Sequence, residues 1–196
     1  CAVEHHIDDV GFINAMLDDL MGRFRVDARR VYVAGFSNGS TMTYRLGVEL
    51  SPRIAAIAPI ASSGLRVPAG RLASPVSLVS IQGTADPYNP LEGGDVSMGR
   101  GDPDPRPPVI ESIQRWAALL HCPDTSTVIR EGGGVHGIAY RPCDAGTEVV
   151  FYTVDGLGHV WPGGISLLGE RLVGKPSSAL SANDVIWDFF QRHPNP

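Results

Sequence analysis

Lysine is nearly absent from these 196 residues. Lys175 is the only one, so arginine carries the positive charge, and the formal net charge is -5. No cluster of Lys or Arg occurs, which argues against nucleic acid or an anionic membrane surface as the main partner. No apolar run approaches the roughly 20 residues that a membrane-spanning helix needs, and no basic-then-apolar stretch opens the chain. Cysteine is scarce: Cys1, Cys122 and Cys143, with no Cys-x-x-Cys pair, exclude a zinc-ribbon or thioredoxin signature. His5 and His6 stand beside Asp8 and Asp9, but no third ligand lies at metal-binding spacing, and no metal is expected. Internal repeats are missing too. What remains is 43% hydrophobic and 19% charged, the composition of an ordinary globular protein, long enough for one domain over residues 1–196 with a sizeable core.

Hydrophobic periodicity divides the chain into alternating helices and strands. Ile7, Val10, Ile13, Leu17, Leu20 and Phe24 recur at helical spacing and predict an amphipathic helix. Arg30 to Phe36 reads as a strand, and Asn38 to Leu50 as a helix with Met42, Leu46 and Leu50 on one face. Ile54–Ala61 and Val76–Ile81 are short apolar runs of the buried-strand type. Tyr88 to Pro108 is rich in Gly, Pro and Asp and reads as a long surface loop. A helix from Val109 to Leu120 follows, then a hairpin from Thr127 to Tyr140 and a strand from Glu148 to Val154. Ser181-Ala182-Asn183-Asp184 caps a final helix ending at Arg192. The alternation predicts an α/β layered fold with a mainly parallel sheet and flanking helices. Gly132 to Gly137 fits a Gly-x-Gly-x-x-Gly pattern, but it leads into a strand and not a helix, so a hairpin loop is expected there.

Gly35-x-Ser37-x-Gly39 falls where a strand becomes a helix. A serine in that turn is pushed outward, and small residues on either side allow strand and helix to approach closely. The N–H of Asn38, at the helix start, would face an oxyanion developing next to Ser37. A serine nucleophile needs a base, and the base needs a carboxylate to fix its tautomer. In a parallel sheet both should come from loops after strand ends. Asp86 follows the strand ending at Ile81 and His159 the strand ending at Val154, and Ser37, Asp86, His159 is the chain order of α/β-hydrolases. Asp102, Asp104 and Asp155 are competing carboxylates, but Asp86 alone combines a strand end and that order with the family resemblance described below.

Cys122 and Cys143 flank the glycine-rich hairpin and can bridge across it. A loop of about 20 residues closed in this way is worth on the order of 3 kcal/mol in the chain-entropy model, and such a bridge implies an oxidising compartment and export. Cys1 is then left over, and its partner, with further sequence, is expected upstream.

The stretches Asp8–Ile13, Arg30–Gly39, Gly83–Pro87, Gly158–Gly164 and Ile186–Phe190 together resemble the polyhydroxybutyrate depolymerase and feruloyl esterase family of secreted α/β-hydrolases. The likeness runs through nearly the whole chain, and His-x-Trp-Pro-Gly-Gly is its most specific motif. The resemblance implies an α/β-hydrolase fold with its N-terminal strands missing from this chain, and no cofactor. It also implies that Ser37, Asp86 and His159 form the triad and that Asn38 is one oxyanion donor. Trp161 would wall the acyl pocket, with Gln82 and Tyr88 also at the substrate, and Cys122 and Cys143 would form the disulfide. Ser40 replaces a usual glycine and Gln82 a usual histidine. The family's second oxyanion donor belongs to an N-terminal portion that this chain lacks, so the chain is expected to be the C-terminal part of a longer protein, with Cys1 bonded upstream. The implied function is a secreted or periplasmic serine esterase. Its substrate would be a hydroxyalkanoate ester, or a feruloyl or acetyl ester of polysaccharide, in polymeric or small form. A serine peptidase of the same fold and a non-catalytic binding relative are the alternatives.

Overall fold

β-branched and aliphatic residues in unbroken runs form strands when both faces are covered, and this chain uses them so. The computed structural model describes residues 7–62, 72–96, 104–166 and 168–195; Cys1 and the His5-His6 pair lie outside them. In chain order the structure contains α1 (Asp9–Arg23), β1 (Tyr32–Phe36), α2 (Asn38–Glu49), β2 (Ala56–Ile60), β3 (Ser77–Gly83), β4 (Gly94–Val96) and β5 (Asp104–Arg106). Then come α3 (Val109–Leu119), β6 (Thr127–Gly132), β7 (Val135–Tyr140), β8 (Val149–Val154), α4 (Glu170–Val173) and α5 (Ala182–Arg192). The main sheet has the order β1-β2-β3-β8-β7-β6. β1, β2, β3 and β8 are parallel neighbours, and the β6–β7 hairpin adds antiparallel to β8. Gly132, Gly133 and Gly134 carry positive φ in the turn of that hairpin, as its sequence predicts.

Alternate side chains of the central strands feed two cores. Ala58, Ile60, Val79, Ile81 and Val150 pack with Phe189 and Phe190 of α5. Ile57, Leu78, Val149 and Phe151 pack on the other face with Tyr44 of α2 and Ile113 and Trp116 of α3. Each buried Val, Leu, Ile or Phe among them contributes about 1.5–3 kcal/mol relative to exposure. Trp116 also satisfies its indole N–H, which donates to the carbonyl of Val76 at 2.8 Å. A disulfide joins Cys122 to Cys143 across the β6–β7 hairpin.

Three expectations are corrected. The apolar stripe of α1 is not a full core face: only Val10 is buried, Ile13 and Leu17 are half-buried, and Ile7, Leu20 and Phe24 are exposed. β1 lies at the sheet edge, and among the described residues nothing pairs with its outer side. On α2 the buried residues are Ser40, Thr43, Tyr44, Leu46 and Gly47; of the expected Met42–Leu46–Leu50 row only Leu46 is buried, and Met42 and Leu50 are half-buried. Small residues such as Gly47 sit there because the helix lies close on the sheet and on α3: a Cβ on Gly47 would come within 3.1 Å of Ile57 of β2 and 3.0 Å of Trp116 of α3. The segment after Tyr88 is also not all loop, since β4 and β5 pair as an antiparallel ribbon.

Candidate active site

Parallel strands end on the same side of a sheet, so the residues that follow them meet there. Ser37 follows β1, Asp86 follows β3 and His159 follows β8. Ser37 adopts φ 55° and ψ -119°, a strained conformation for a residue with a Cβ, in the tight turn from β1 into α2. Gly35 permits that turn, because a Cβ there would lie 2.3 Å from the Gly39 carbonyl and 2.4 Å from Thr43 Oγ1. Gly39 does not have the predicted steric role, since a Cβ on it meets nothing within 4 Å. Asn38 opens α2, where the first backbone N–H groups have no partner within the helix.

His159 joins the other two residues. Its Nδ1 is 2.8 Å from Asp86 Oδ2 and its Nε2 is 2.8 Å from Ser37 Oγ. A carboxylate only accepts, so the proton sits on Nδ1 and leaves Nε2 free to take the serine proton. The Asp86 carboxylate is fully buried and held by three further donors. Its Oδ1 accepts the N–H groups of Tyr88 and Asn89, both at 2.9 Å, and Oδ2 accepts Gln82 Nε2 at 3.2 Å. Asn89 ties this turn to the end of β2 by donating to the Ala61 carbonyl at 2.9 Å. The ring edge of Tyr88 stands against the imidazole at 5.2 Å and Phe36 packs on it at 4.8 Å. The imidazole is therefore fixed in position and tautomer.

A cavity of about 470 Å³ opens onto Ser37 and His159, with Asn38, Thr41, Tyr88 and Asn89 around them. Leu168 and Val173 form an apolar wall, and Arg106 enters from β5. Tyr88 is thus where a substrate-contacting residue should be. Two expectations fail. Gln82 is 1% exposed and points at the Asp86 carboxylate and the Asn89 carbonyl, so it supports the turn and does not touch the cavity. Trp161 does not line the cavity either. Its indole N–H donates to Asn183 Oδ1 at 3.0 Å, which holds it in a separate groove with Tyr32, Trp187 and Phe190.

The sequence reading missed Thr41, Asn89, Arg106, Leu168 and Val173. Only Asn89 carried a local signal: an Asp whose carboxylate accepts N–H groups two and three residues on forms an Asx-type turn, and Asp86-Pro87-Tyr88-Asn89 has the composition for one.

No protein-family model matches the chain. A putative esterase, NocK, from Nocardia uniformis subsp. tsuyamanensis is 33% identical over 92% of this chain and 56% of its own length. Feruloyl esterase B of Piromyces equi is 30% identical over 78% of this chain and 29% of its own. Both relatives are named as esterases, in keeping with the family that the sequence motifs resemble. Among solved structures, acetyl xylan esterase from Aspergillus awamori superposes with a TM-score of 0.58, covering 93% of this chain and 66% of that one at 13% identity, a likeness of fold. The chain spans about half the length of NocK and less than a third of the feruloyl esterase.

Proposed function

We propose that this chain carries the catalytic residues of a serine carboxylic ester hydrolase. The observation that supports the reading best is His159 bridging Ser37 and Asp86 at 2.8 Å on each side. In this mechanism Ser37 Oγ attacks the ester carbonyl while His159 Nε2 takes its proton. The negative charge that develops on the carbonyl oxygen faces the Asn38 N–H at the start of α2. The imidazolium, stabilised by Asp86, then gives the proton to the departing alcohol. Water, activated by the same imidazole, releases the acid and restores Ser37.

Hydroxyalkanoate, feruloyl and acetyl-polysaccharide esters, small or polymeric, are the substrate classes in view, with Tyr88 at the substrate. The Cys122–Cys143 bridge supports an exported protein working in an oxidising compartment. The test is mass spectrometry before and after a fluorophosphonate probe, followed by hydrolysis of feruloyl, acetyl and 3-hydroxybutyrate esters. A single adduct mapped to Ser37, with turnover of at least one ester, is the expected result. An unmodified Ser37 in folded protein would overturn the proposal.

A further inference from the structure

Resting on that reading, we propose that Asn89 is a positioning residue for the reaction: its side chain fixes the turn that carries Asp86 relative to the turn that carries Ser37. These turns follow β3 and β1, and β2 lies between the two strands. The link runs through the end of β2. The Ser37 N–H donates to the Ile60 carbonyl at 3.0 Å, and the carbonyl of the next residue, Ala61, accepts the Asn89 side-chain amide at 2.9 Å. The backbone N–H of Asn89 in turn donates to Asp86 Oδ1 at 2.9 Å. Asp86 Oδ2 meets His159 Nδ1, and His159 Nε2 meets Ser37 Oγ. These contacts close a ring that runs from Ser37 through Ile60, Ala61, Asn89, Asp86 and His159 back to Ser37.

Both ends of the Asn89 link are held rigidly. Asn89 is buried, and its carbonyl accepts Gln82 Nε2 at 2.6 Å, so its backbone is pinned through N–H and carbonyl alike. Ala61 is buried as well and takes φ 52°, an uncommon conformation for a residue with a Cβ that persists only where its surroundings impose it. Its N–H donates to the Ile81 carbonyl of β3 at 3.1 Å, and its carbonyl is the one that Asn89 holds. A buried carbonyl that loses its donor is costly, so removing the amide would shift either Ala61, next to the residue that anchors Ser37, or the turn that carries Asp86. A displacement of about 1 Å among reacting groups can cost roughly a hundredfold in rate. An amide suits the position: an aspartate would set a second carboxylate beside Asp86 and face the Ala61 carbonyl with acceptors only.

The experiment compares the wild-type chain with Asn89→Leu, which keeps the bulk and removes the donor, and with Asn89→Ala and Asn89→Ser, which differ from each other by a hydroxyl alone. Circular dichroism establishes folding and urea unfolding records stability; where Asn89→Leu does not fold, the alanine and serine variants decide. For an ester that the wild type turns over, kcat is expected to fall about 10- to 100-fold in Asn89→Leu and Asn89→Ala with KM little changed, and Asn89→Ser should recover part of the loss. A rise in KM at wild-type kcat would make Asn89 a substrate contact, and wild-type kcat in a less stable protein would make it purely structural; either result overturns the assignment. Proton NMR needs no turnover and separates this failure from failure of the esterase reading. The Nδ1–H of His159, bonded to Asp86, gives a low-field resonance, assigned by its loss in His159→Gln. Displacement or loss of that resonance in the folded Asn89→Leu or Asn89→Ala protein supports the positioning role even if the wild type hydrolyses no ester, a result that would count against the esterase alone. An unchanged resonance in those variants, or none in the wild type, overturns the positioning role.

Discussion

His159 Nε2 lies 2.8 Å from Ser37 Oγ although 122 residues of chain separate the two. The contact depends on β1 and β8 running parallel, so that the loops after both strands emerge at the same end of the sheet.

On the proposed mechanism, Ser37→Ala and His159→Ala should each lower kcat for any ester the protein turns over by on the order of 10⁵–10⁶-fold, because nucleophile and base would act as a unit. The double variant should be scarcely worse than either single one. Steady-state kinetics on the purified variants, with circular dichroism to establish folding, makes the measurement.

Gln82 donates to the Asp86 carboxylate from a fully enclosed position. Gln82→Met keeps the volume and removes the donor, and a hydrogen bond to a charged group is worth about 1.5–3 kcal/mol. We expect kcat to fall roughly tenfold or more with KM little changed, since no atom of Gln82 reaches the cavity. A rise in KM at constant kcat would instead restore the substrate-binding role expected from sequence.

Gly35 and Gly39 look equivalent in the motif but should respond differently. Gly35→Ala drives a methyl group into the backbone of Gly39 and should destabilise the fold by several kcal/mol through steric overlap. Gly39→Ala meets open space in a helix and should leave stability unchanged or raise it by up to about 1 kcal/mol. Urea unfolding of the two variants decides the matter.

Glu148 is buried between Arg192 at 2.9 Å, His193 at 3.3 Å and Arg141 at 3.4 Å. Its hydrogen bond with His193, and then that with Arg192, holds its carboxyl down at about 2, from an ordinary 4.5. A depressed carboxylate contributes stability above its unfolded value and loses it as pH falls toward the folded one. Stability of on the order of 3 kcal/mol should therefore fade as pH drops from about 4.5 to about 2. In Glu148→Gln the unfolding free energy should be lower at pH 7 and flatter across that acid range.

Replacing Cys122 and Cys143 by serine opens a loop closed at a separation of 21 residues. The chain-entropy estimate is a loss of about 3 kcal/mol, which for a chain of this size lowers Tm by about 10 °C. Differential scanning calorimetry of the double variant, or of reduced wild type, should show the fall.

Local pattern was sufficient for much of this molecule. The alternation of elements, the buried runs of β2 and β3, the hairpin from Thr127 and the capped final helix depend on neighbours two to four residues apart, and such spacings are visible in the chain itself. The strand-end positions of Ser37, Asp86 and His159 were legible for the same reason, once a parallel sheet was assumed. Tertiary structure decided which side chains share a cavity. Gln82 and Trp161 are close in sequence to Asp86 and His159, yet one is buried beneath the carboxylate and the other is drawn aside by Asn183. Arg106 lies in a stretch that composition marks as surface loop, yet the β4–β5 pairing carries it to the triad. Solvent exposure and cavity membership are set by groups distant in sequence, packed at contact distance, and no periodicity of the chain encodes those distances.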